Sequence, residues 1–481
     1  MHQRRFSMDD QLAFARLSGD ANPAHTDPVA ARRTLFGRAV VHGVHSVLWA
    51  LDAWAATLDR PARLASIRCE FPRPIAVGAL AEVAIEIRDA RQVVLVVSSD
   101  GAPATQVDLS WDTAGASLQP APGGRFPPSD EPSDMAEADV EAAEGTLNLY
   151  LDAAAGRHLF PRLIERLPPA QVAVLLAATR LVGVKCPGLR SVLGELALTA
   201  AGPAHDATLT YKARRYERRF HRVTLDVTGG GLAGTVVAFF RPAPRAQASY
   251  ADLVSRVRSG EFAGIRALVV GGSRGLGEVA AKLLAAGGAV VRITYRDGKS
   301  EAEAVATEIA GGGGSAACAR LDVLEPQPGL REVCAGGWQP THLLYFATPF
   351  VFSAVKGAFS PDLFRQFCDY YVVGFVNTVE PLIRGGLRRV LYPSTVAVEE
   401  MPIHMGEYAA AKSAGEAVCA FLEKSRTGTV VCAPRLPRLA TDQTASLLPA
   451  GDADPTSVLL SVLRRFRDAP SSAAFRTSGG P

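Results

Sequence analysis

The pattern of apolar and polar positions divides the chain into two kinds of region. Residues 39–58 are apolar at helical spacing, and the shorter runs that follow, as far as Trp111, alternate apolar and polar residues. Helical spacing predicts a helix with a buried face, whereas a period of two predicts strands that bury one side. A long helix followed by antiparallel strands predicts an α+β layer for residues 1–114.

Residues 136–245 repeat this order of elements. The apolar stretch 169–186 predicts a helix, and four β-like runs follow it. The two halves share little sequence, but the repeated order of helix and sheet indicates a duplicated unit. Between them, residues 115–135 are rich in Pro, Gly, Ser and Asp and predict a flexible linker.

The pattern changes after residue 262. Short apolar strands alternate with helical stretches as far as residue 445, which predicts βαβ units and a parallel, doubly wound sheet. We therefore predict an α/β domain of the Rossmann type over residues 262–468. The last residues, 469–481, have the composition of a disordered tail.

Composition excludes several classes of protein. The net charge of the 481 residues is only +3, which predicts no nucleic-acid or membrane surface, and no apolar run is as long as a membrane span of about 18 residues. The seven cysteines are scattered without a CxxC pair, which predicts neither disulfides nor a metal site and fits a reducing cytoplasm. The N-terminal residues lead into no signal-peptide core.

A glycine-rich turn, LVVGGSRGLGE, joins the first predicted strand of the C-terminal region to its first helix. Gly271, Gly275 and Gly277 form a GxxxGxG pattern. Glycines let the backbone approach a pyrophosphate, and the helix start offers free N–H groups and the positive end of its dipole. An ordinary loop can carry the same glycines, but the strand–turn–helix context favours a dinucleotide site.

Downstream, Tyr408 and Lys412 lie four residues apart on one predicted helix, and Ser394 and Thr395 end an earlier strand. An ammonium group favours a nearby phenolate, so the tyrosine can transfer a proton near neutral pH. Taken alone, such a Tyr–Lys pair is usually a surface feature.

These motifs, in this order, resemble the short-chain dehydrogenase/reductase family, in particular its 3-ketoacyl reductases. The resemblance implies that Tyr408 acts as acid or base and that Lys412 lowers the pKa of Tyr408 and holds the cofactor ribose. It also implies that a strand-end hydroxyl polarises the substrate carbonyl. The family's spacing selects Thr395, while residue type favours Ser394, which we prefer.

The resemblance also implies a nicotinamide cofactor. NAD-selective sites place an acid at the end of the second strand, where this chain has Arg296, and Arg274 lies in the glycine loop. Two guanidinium groups suit a 2′-phosphate, so we expect NADP(H), with Asp297 as the opposing observation. The expected cofactor-binding residues are Gly271, Ser273, Arg274, Gly275, Leu276, Gly277, Arg296, Asp322, Val323, Tyr408 and Lys412.

Two departures from the family pattern concern the proton relay. Residues 346–348, Phe-Ala-Thr, replace the family's Asn-Ala-Gly, and Tyr371 stands where the family has a catalytic asparagine. Asn377, nearly two turns further on, does not substitute for it directly. The departures imply a rerouted relay, an unusual substrate, or a reductase that does not turn over.

Near the N-terminus, the stretch FARLSGDANPAHTDP sets Asp20 and His25 on either side of Asn22-Pro23. The Asn-Pro turn brings both side chains to one side, where a carboxylate raises the basicity of an imidazole. Gly43, at the start of the long helix, offers an N–H group for a developing oxyanion. A capped turn with a surface histidine is the alternative interpretation.

This stretch, with FGRAVVHG after it, closely resembles the (R)-specific enoyl hydratase motif of MaoC-like hotdog proteins. The resemblance implies that Asp20 and His25 add or remove water at an acyl thioester, while Gly43 steadies the thioester enolate. Residues 136–245 look like the partner hotdog of double-hotdog dehydratases but lack the motif. Their implied role is structural, and their histidines are predicted to be surface or structural residues: His158, His205 and His221.

We therefore predict a bifunctional dehydratase–ketoreductase. It would reduce 3-ketoacyl thioesters with NADPH and dehydrate the product, on a separate acyl carrier protein in a polyketide-like or fatty-acid-like pathway. We expect a homodimer, because reductases of this family commonly pair through their helices. One alternative is a CoA-dependent hydratase–dehydrogenase of the β-oxidation type. Another is an acyl-binding dehydratase with a degenerate reductase as scaffold.

Overall fold

The computed structural model describes residues 2–114, 131–202, 206–352, 358–426, 428–445 and 451–470. The chain divides into two compact units, one comprising Met1–Ala243 and the other beginning at Pro244. Most of the predicted linker (115–130) and of the predicted tail (471–481) lies outside the described residues. Within the described ranges, the helices are all too short or too polar to cross a membrane.

The first unit contains a ten-stranded antiparallel sheet in its described residues. Its strands are β1 (His2–Arg5), β2 (Ala62–Glu70), β3 (Leu80–Asp89), β4 (Gln92–Ser99), β5 (Ala102–Thr113), β6 (Glu144–Asn148), β7 (Ser191–Ala200), β8 (Thr208–Glu217), β9 (Arg222–Gly229) and β10 (Leu232–Phe240). The order across the sheet is β1-β3-β4-β5-β2-β7-β10-β9-β8-β6.

The described residues of this unit also form seven α-helices. They are α1 (Met8–Ser18), α2 (Pro23–Thr26), α3 (Pro28–Ala31), α4 (Gly43–Ala55), α5 (Ala153–Leu159), α6 (Pro161–Arg166) and α7 (Pro169–Arg180), with a π-helical turn at Leu181–Lys185 and 3-10 turns at Glu137–Ala142 and Arg218–Phe220.

The predicted helix 39–58 is shorter in the structure, where α4 covers Gly43–Ala55. Its first residues are instead extended, because Val40 forms a β-bridge with Ala76 and the Val41 N–H donates to the Ile75 carbonyl. Within α4 nearly every side chain is buried, as expected of a helix that packs on all sides.

The order of one long helix and then strands occurs twice in this unit, with α4 before β2–β5 and α7 before β7–β10. We call residues 2–114 the first half and residues 131–243 the second half. The halves meet where β2 pairs antiparallel with β7, from Ser66 opposite Thr199 to Glu70 opposite Glu195. They therefore share one sheet and one hydrophobic core.

The second unit has a parallel six-stranded sheet, which confirms the predicted sheet type. The strands of this unit are β11 (Arg266–Val270), β12 (Val290–Tyr295), β13 (Ser315–Arg320), β14 (His342–Tyr345), β15 (Arg389–Leu391), β16 (Ser394–Thr395), β17 (Val430–Cys432) and β18 (Arg435–Leu436). The order is β13-β12-β11-β14-β15-β17, and β16 pairs with β18.

Helices cover both faces of this sheet. They are α8 (Tyr250–Val254), α9 (Gly275–Ala286), α10 (Lys299–Gly311), α11 (Pro326–Val333), α12 (Pro361–Cys368), α13 (Phe375–Arg384), α14 (Ala397–Glu400), α15 (Gly406–Ser425) and α16 (Pro455–Asp468), with a π-helical turn at Asp369–Gly374 and 3-10 turns at Ala335–Gly337 and Asp442–Thr444.

Alternate residues of β11 show why the sheet is doubly wound. Ala267 and Val269 pack into one hydrophobic core, and Leu268 and Val270 pack into another. Because successive side chains of a strand point to opposite faces, a continuous apolar run requires a helical layer on each side.

Candidate functional site

The turn between α1 and α2 positions Asp20 and His25. Helix α1 ends at Gly19, whose φ of +75° is the left-handed conformation that glycine adopts without strain. Asn22 then caps α2, because its Oδ1 accepts from the Ala24 N–H at 3.0 Å. The Asn-Pro sequence thus reverses the chain within a few residues, as predicted.

Asp20 is only 2 % exposed, and both of its carboxylate oxygens have partners. Oδ1 accepts from the Asn22 N–H at 3.2 Å, and Oδ2 accepts from the Thr179 hydroxyl at 2.7 Å. Burial raises the pKa of Asp20, because a carboxylate loses its hydration, while His25, Thr179 and Asn22 oppose the shift.

His25 donates from Nδ1 to the Val40 carbonyl at 2.8 Å. In the neutral ring this bond leaves Nε2 unprotonated and able to accept a proton. Burial lowers the pKa of His25, and the charge of Asp20 acts in the opposite direction. The environment therefore favours a neutral imidazole next to a carboxyl group that holds its proton more tightly than usual.

His42 is a third member of this group, and no local pattern in the sequence assigns it a role. Its ring stacks on His25 with centroids 4.0 Å apart, and its Nε2 donates to the Asp20 carbonyl at 3.0 Å. One potential ligand atom of each of Asp20, His25 and His42 lies within 4.8 Å of the others. His42 Nδ1 also contacts Gln11 Oε1 at 3.0 Å, so both ring nitrogens of His42 already have partners within the protein.

Gly43 begins α4 directly beside this group. A Cβ atom at this position would lie 2.9 Å from the Phe71 ring, so the glycine leaves room for close packing. N–H groups in the first turn of a helix have no partner within the helix and can hold a developing negative charge.

The second half also contacts Asp20. Thr179 is near the end of α7, and Gly183 lies in the π-helical turn after it. A Cβ atom on Gly183 would lie 2.1 Å from Asp20 Oδ1, so only glycine fits. The Asn22 side-chain amide donates to carbonyls of this region at 3.0 to 3.2 Å: Gly183, Gly188 and Leu189.

The described histidines of the second half do not contact Asp20, His25 or His42. His158 is exposed and His221 pairs with Glu137 at 3.0 Å, while His205 lies outside the described residues.

In the second unit, the glycine turn joins β11 to α9. Gly271 has a φ of +78°, and a Cβ atom there would lie 2.8 Å from the Ala347 nitrogen. A Cβ atom on Gly277 would lie 2.3 Å from the Gly271 carbonyl oxygen. These glycines bring strand, loop and helix into close contact and expose the backbone N–H groups at the start of α9. Ser273 is buried in this turn and Leu276 is half-buried.

The two arginines expected at a 2′-phosphate both contact carboxylates. Arg274 pairs with Asp442 at 3.4 Å, and Arg296 pairs with Asp297 at 2.7 Å. Arg296 also donates to the Tyr370 hydroxyl. After β13, Asp322 Oδ1 accepts from the Leu324 N–H at 3.0 Å, and the neighbouring Val323 is buried.

The structure separates the two hydroxyl candidates. The Thr395 side chain interacts with Tyr408 and acts to lower its pKa, while the Ser394 hydroxyl donates to Glu416 at 2.5 Å. Adjacent residues of a strand point to opposite sides, so this arrangement favours Thr395, which the family's spacing selects, over the preferred Ser394.

Burial controls the protonation of both Tyr408 and Lys412. It raises the pKa of Tyr408 to about 12, against the Thr395 hydrogen bond, and it lowers the pKa of Lys412 to about 7. The Lys412 ammonium donates to the Pro393 carbonyl at 2.7 Å. Loss of hydration is the largest influence on the pKa of Tyr408, and its direction is opposite to the lowering expected from Lys412.

Comparison with known proteins finds relatives of the N-terminal part and of the C-terminal part of the chain. Residues 2–102 match the family described as the MaoC-like domain. A 3-hydroxybutyryl-CoA dehydratase of Methylorubrum extorquens is 28 % identical over 88 residues, which are 18 % of this chain and 56 % of that protein. The chain thus spans about half the length of this relative.

An NADPH-dependent aldehyde reductase of Arabidopsis thaliana is 31 % identical over 190 residues, which are 35 % of this chain and 70 % of that protein. This chain belongs to the short-chain dehydrogenase/reductase family. Its N-terminal segment is a MaoC-like domain. Among solved structures, a short-chain dehydrogenase of Burkholderia cenocepacia in complex with NADP is 25 % identical, with a TM-score of 0.39, and covers 44 % of this chain and 93 % of its own.

The short-chain reductase unit differs from its family's pattern around the lysine. The Tyr371 hydroxyl hydrogen-bonds Thr348 at 2.5 Å, and the Lys412 ammonium lies over the Tyr371 ring. Asn377 is exposed on α13 and takes no part in this contact, as expected. The sequence showed that Tyr371 replaces the family's catalytic asparagine. The packing of Tyr371 against Lys412 also depends on the π-helical turn that contains Tyr371.

Proposed function

We propose that the protein is a bifunctional enzyme that reduces 3-ketoacyl thioesters with NADPH and dehydrates the resulting 3-hydroxyacyl thioesters to 2-enoyl thioesters. The observation that carries this proposal is that one chain holds the buried Asp20 beside His25 in its first unit, and Tyr408 with the buried Lys412 on one helix of its second unit. The product of the reduction is the substrate of the dehydration, so the two sites perform consecutive steps.

In the proposed dehydration, His25 Nε2 removes the C2 proton and Asp20 protonates the leaving 3-hydroxyl group. The C2–H and C3–O bonds break, the C2–C3 double bond forms, and water leaves. Burial prepares both groups, because it favours a protonated Asp20 and a neutral His25. The Gly43 N–H would hold the thioester oxygen, and transfer of the proton from His25 back to Asp20 restores the pair.

The second unit fits a dinucleotide. Gly271 and Gly277 leave the backbone close to where a pyrophosphate would lie, and α9 begins there. We propose that Arg274 and Arg296 hold the 2′-phosphate, with Asp322 and Val323 near the adenine. The remaining proposed contacts are Ser273, Gly275, Leu276 and Lys412. Bound NADPH supplies the hydride for the carbonyl carbon.

Tyr408 is the proposed proton donor to the substrate carbonyl oxygen. With a pKa of about 12 it is protonated at neutral pH, as a donor must be. Thr395 orients its hydroxyl and can share the carbonyl oxygen with it. The substrate is proposed to be carried by a separate acyl carrier protein or by CoA, in a cytoplasmic homodimer.

The test is mass spectrometry of a 3-ketoacyl thioester, on CoA and on a carrier protein, after incubation with enzyme and NADPH. We expect a 2-enoyl product from the wild type, a 3-hydroxyacyl product from Asp20→Asn, and unchanged substrate from Tyr408→Phe. Unchanged substrate on both carriers with the wild type would refute the reductase assignment for this substrate class.

A second candidate is a dehydratase whose reductase unit serves as a scaffold. The observation that favours it is the Tyr371 ring, which packs against Lys412 where the family has a polar asparagine. NADPH binding without turnover, together with hydration of a 2-enoyl thioester, would support this candidate.

A further inference from the structure

We propose that the second half supplies a positioning residue, Thr179, which holds the Asp20 carboxylate and makes it a competent proton donor in the dehydration. This inference rests on the proposed dehydratase function. It gives residues 131–243 a part in the chemistry in addition to completing the sheet.

The Thr179 hydroxyl and the Asp20 carboxylate form a buried contact. Their bond is 2.7 Å long, and the two residues are 4 % and 2 % exposed. Asp20 becomes an anion when it gives its proton to the leaving hydroxyl group. A hydroxyl that donates to this anion stabilises it, and the effect is large where water is excluded. The Asn22 N–H provides the second such bond, to the other oxygen.

The backbone around Thr179 is shaped for this contact. The π-helical turn Leu181–Lys185 follows α7 directly, and it places Gly183 where any Cβ atom would overlap the Asp20 carboxylate. The Asn22 amide donates to the Gly183 carbonyl of the same turn at 3.0 Å. Insertions of this kind in helices occur frequently at functional sites.

The charged and titratable groups around Asp20 set the background for a pH test. His25 faces it from α2, and His42 donates to its carbonyl from the start of α4. Arg241, at the end of β10, is buried in the second half and acts on His25. None of these groups changes when Thr179 loses its hydroxyl, so a shift in titration would report on the Thr179 bond.

The experiment compares Thr179→Val, which keeps the shape of the side chain, with Thr179→Ser, which restores a hydroxyl. The first readout is the pH dependence of kcat/KM for dehydration of a 3-hydroxyacyl thioester. The second is infrared difference spectroscopy of the protonated Asp20 carbonyl, assigned with Asp20→Asn, which needs no activity. The matched control is Thr105→Val, because Thr105 makes a buried 2.7 Å bond to Ser46.

We expect Thr179→Val to move the midpoint of Asp20 ionisation, and the basic limb of the profile, upward by about one pH unit. Thr179→Ser should return both toward the wild type, and Thr105→Val should move neither. An infrared midpoint that is unchanged in Thr179→Val would overturn the inference. If the wild type lacks dehydratase activity while the infrared midpoint shifts, the proposed function fails and the contact between Thr179 and Asp20 is still established.

Discussion

The Lys412 ammonium nitrogen lies 4.1 Å from the centroid of the Tyr371 ring. A second ring, that of Tyr392, lies 4.7 Å from the same nitrogen. The face of an aromatic ring attracts a cation, so these rings partly replace the hydration that burial removes. The lysine of this reductase unit is therefore held by aromatic rings and by the Pro393 carbonyl.

This contact predicts that the Tyr371 ring matters more than its hydroxyl. Tyr371→Phe keeps the ring and should retain reductase activity within about threefold, while Tyr371→Leu should lose about tenfold or more, since a desolvated cation–π contact is worth about 2 kcal/mol. Steady-state kinetics with NADPH checks this. Thr348→Val, which removes the partner of the Tyr371 hydroxyl, is the control and should behave like Tyr371→Phe. Equal losses of reductase activity in Tyr371→Phe and Tyr371→Leu would contradict the prediction.

Substitutions of Thr395 and of Ser394 should have different effects on reductase activity in the same assay. Thr395→Val removes the hydroxyl that interacts with Tyr408, and we expect reduction to slow by about tenfold or more. Ser394→Ala breaks the bond to Glu416 and should change stability more than kcat. A larger loss of kcat in Ser394→Ala than in Thr395→Val would reverse the assignment.

Asp20→Asn and His25→Gln should each reduce dehydration by about a hundredfold to ten-thousandfold, the usual effect of removing a general acid or base. The hydration rate of a 2-enoyl thioester measures this activity without NADPH, and the loss of ultraviolet absorbance of the thioester reports that rate. Tyr408→Phe should leave this reaction unchanged, since Tyr408 belongs to the other unit. Wild-type hydration rates in Asp20→Asn would remove Asp20 from the mechanism.

His45 should make the first unit sensitive to acid. Both of its ring nitrogens are buried without a hydrogen-bond partner, and burial lowers its pKa to about 3. Between pH 6.5 and 3 the unfolded chain therefore binds a proton that the folded chain does not. Stability should fall with decreasing pH by about 1.4 kcal/mol per unit from this residue.

His45→Leu should remove this part of the pH dependence. It should also raise stability at pH 7 by about 1 kcal/mol, since two unpartnered nitrogens leave the core. Urea unfolding followed by tryptophan fluorescence at several pH values is the measurement, because three of the four tryptophans lie in the first unit: Trp49, Trp54 and Trp111. Parallel pH dependences of wild type and His45→Leu would show that the wild-type ring is protonated or partnered.

Gly271→Ala should impair cofactor binding selectively. The substitution places a Cβ atom 2.8 Å from the Ala347 nitrogen at a φ of +78°, so the turn must move. We expect NADPH to bind at least about tenfold more weakly in a fluorescence titration, with the hydration reaction unaffected. Gly311→Ala, at a glycine of α10 with open space around it, is the control and should bind NADPH normally. Unchanged NADPH affinity in Gly271→Ala would argue against a pyrophosphate at this turn.

Much of the candidate chemistry was readable because it is local in the sequence. Asp20 and His25 are five residues apart across a turn that Asn22 caps, and Tyr408 and Lys412 occupy one helix. The glycine turn is likewise continuous with the strand and helix it joins. Short-range backbone preferences are enough to bring such groups together.

The amino-acid pattern was enough to predict the order of elements, the parallel sheet of the second unit and these local motifs. Tertiary structure alone decided that Thr179 and Gly183, about 160 positions after Asp20, surround its carboxylate. The burial that raises the pKa of Tyr408 and lowers that of Lys412 is likewise a property of the tertiary structure. Long-range packing and loss of hydration depend on contacts between residues that are far apart in the sequence, so a local sequence pattern does not predict them.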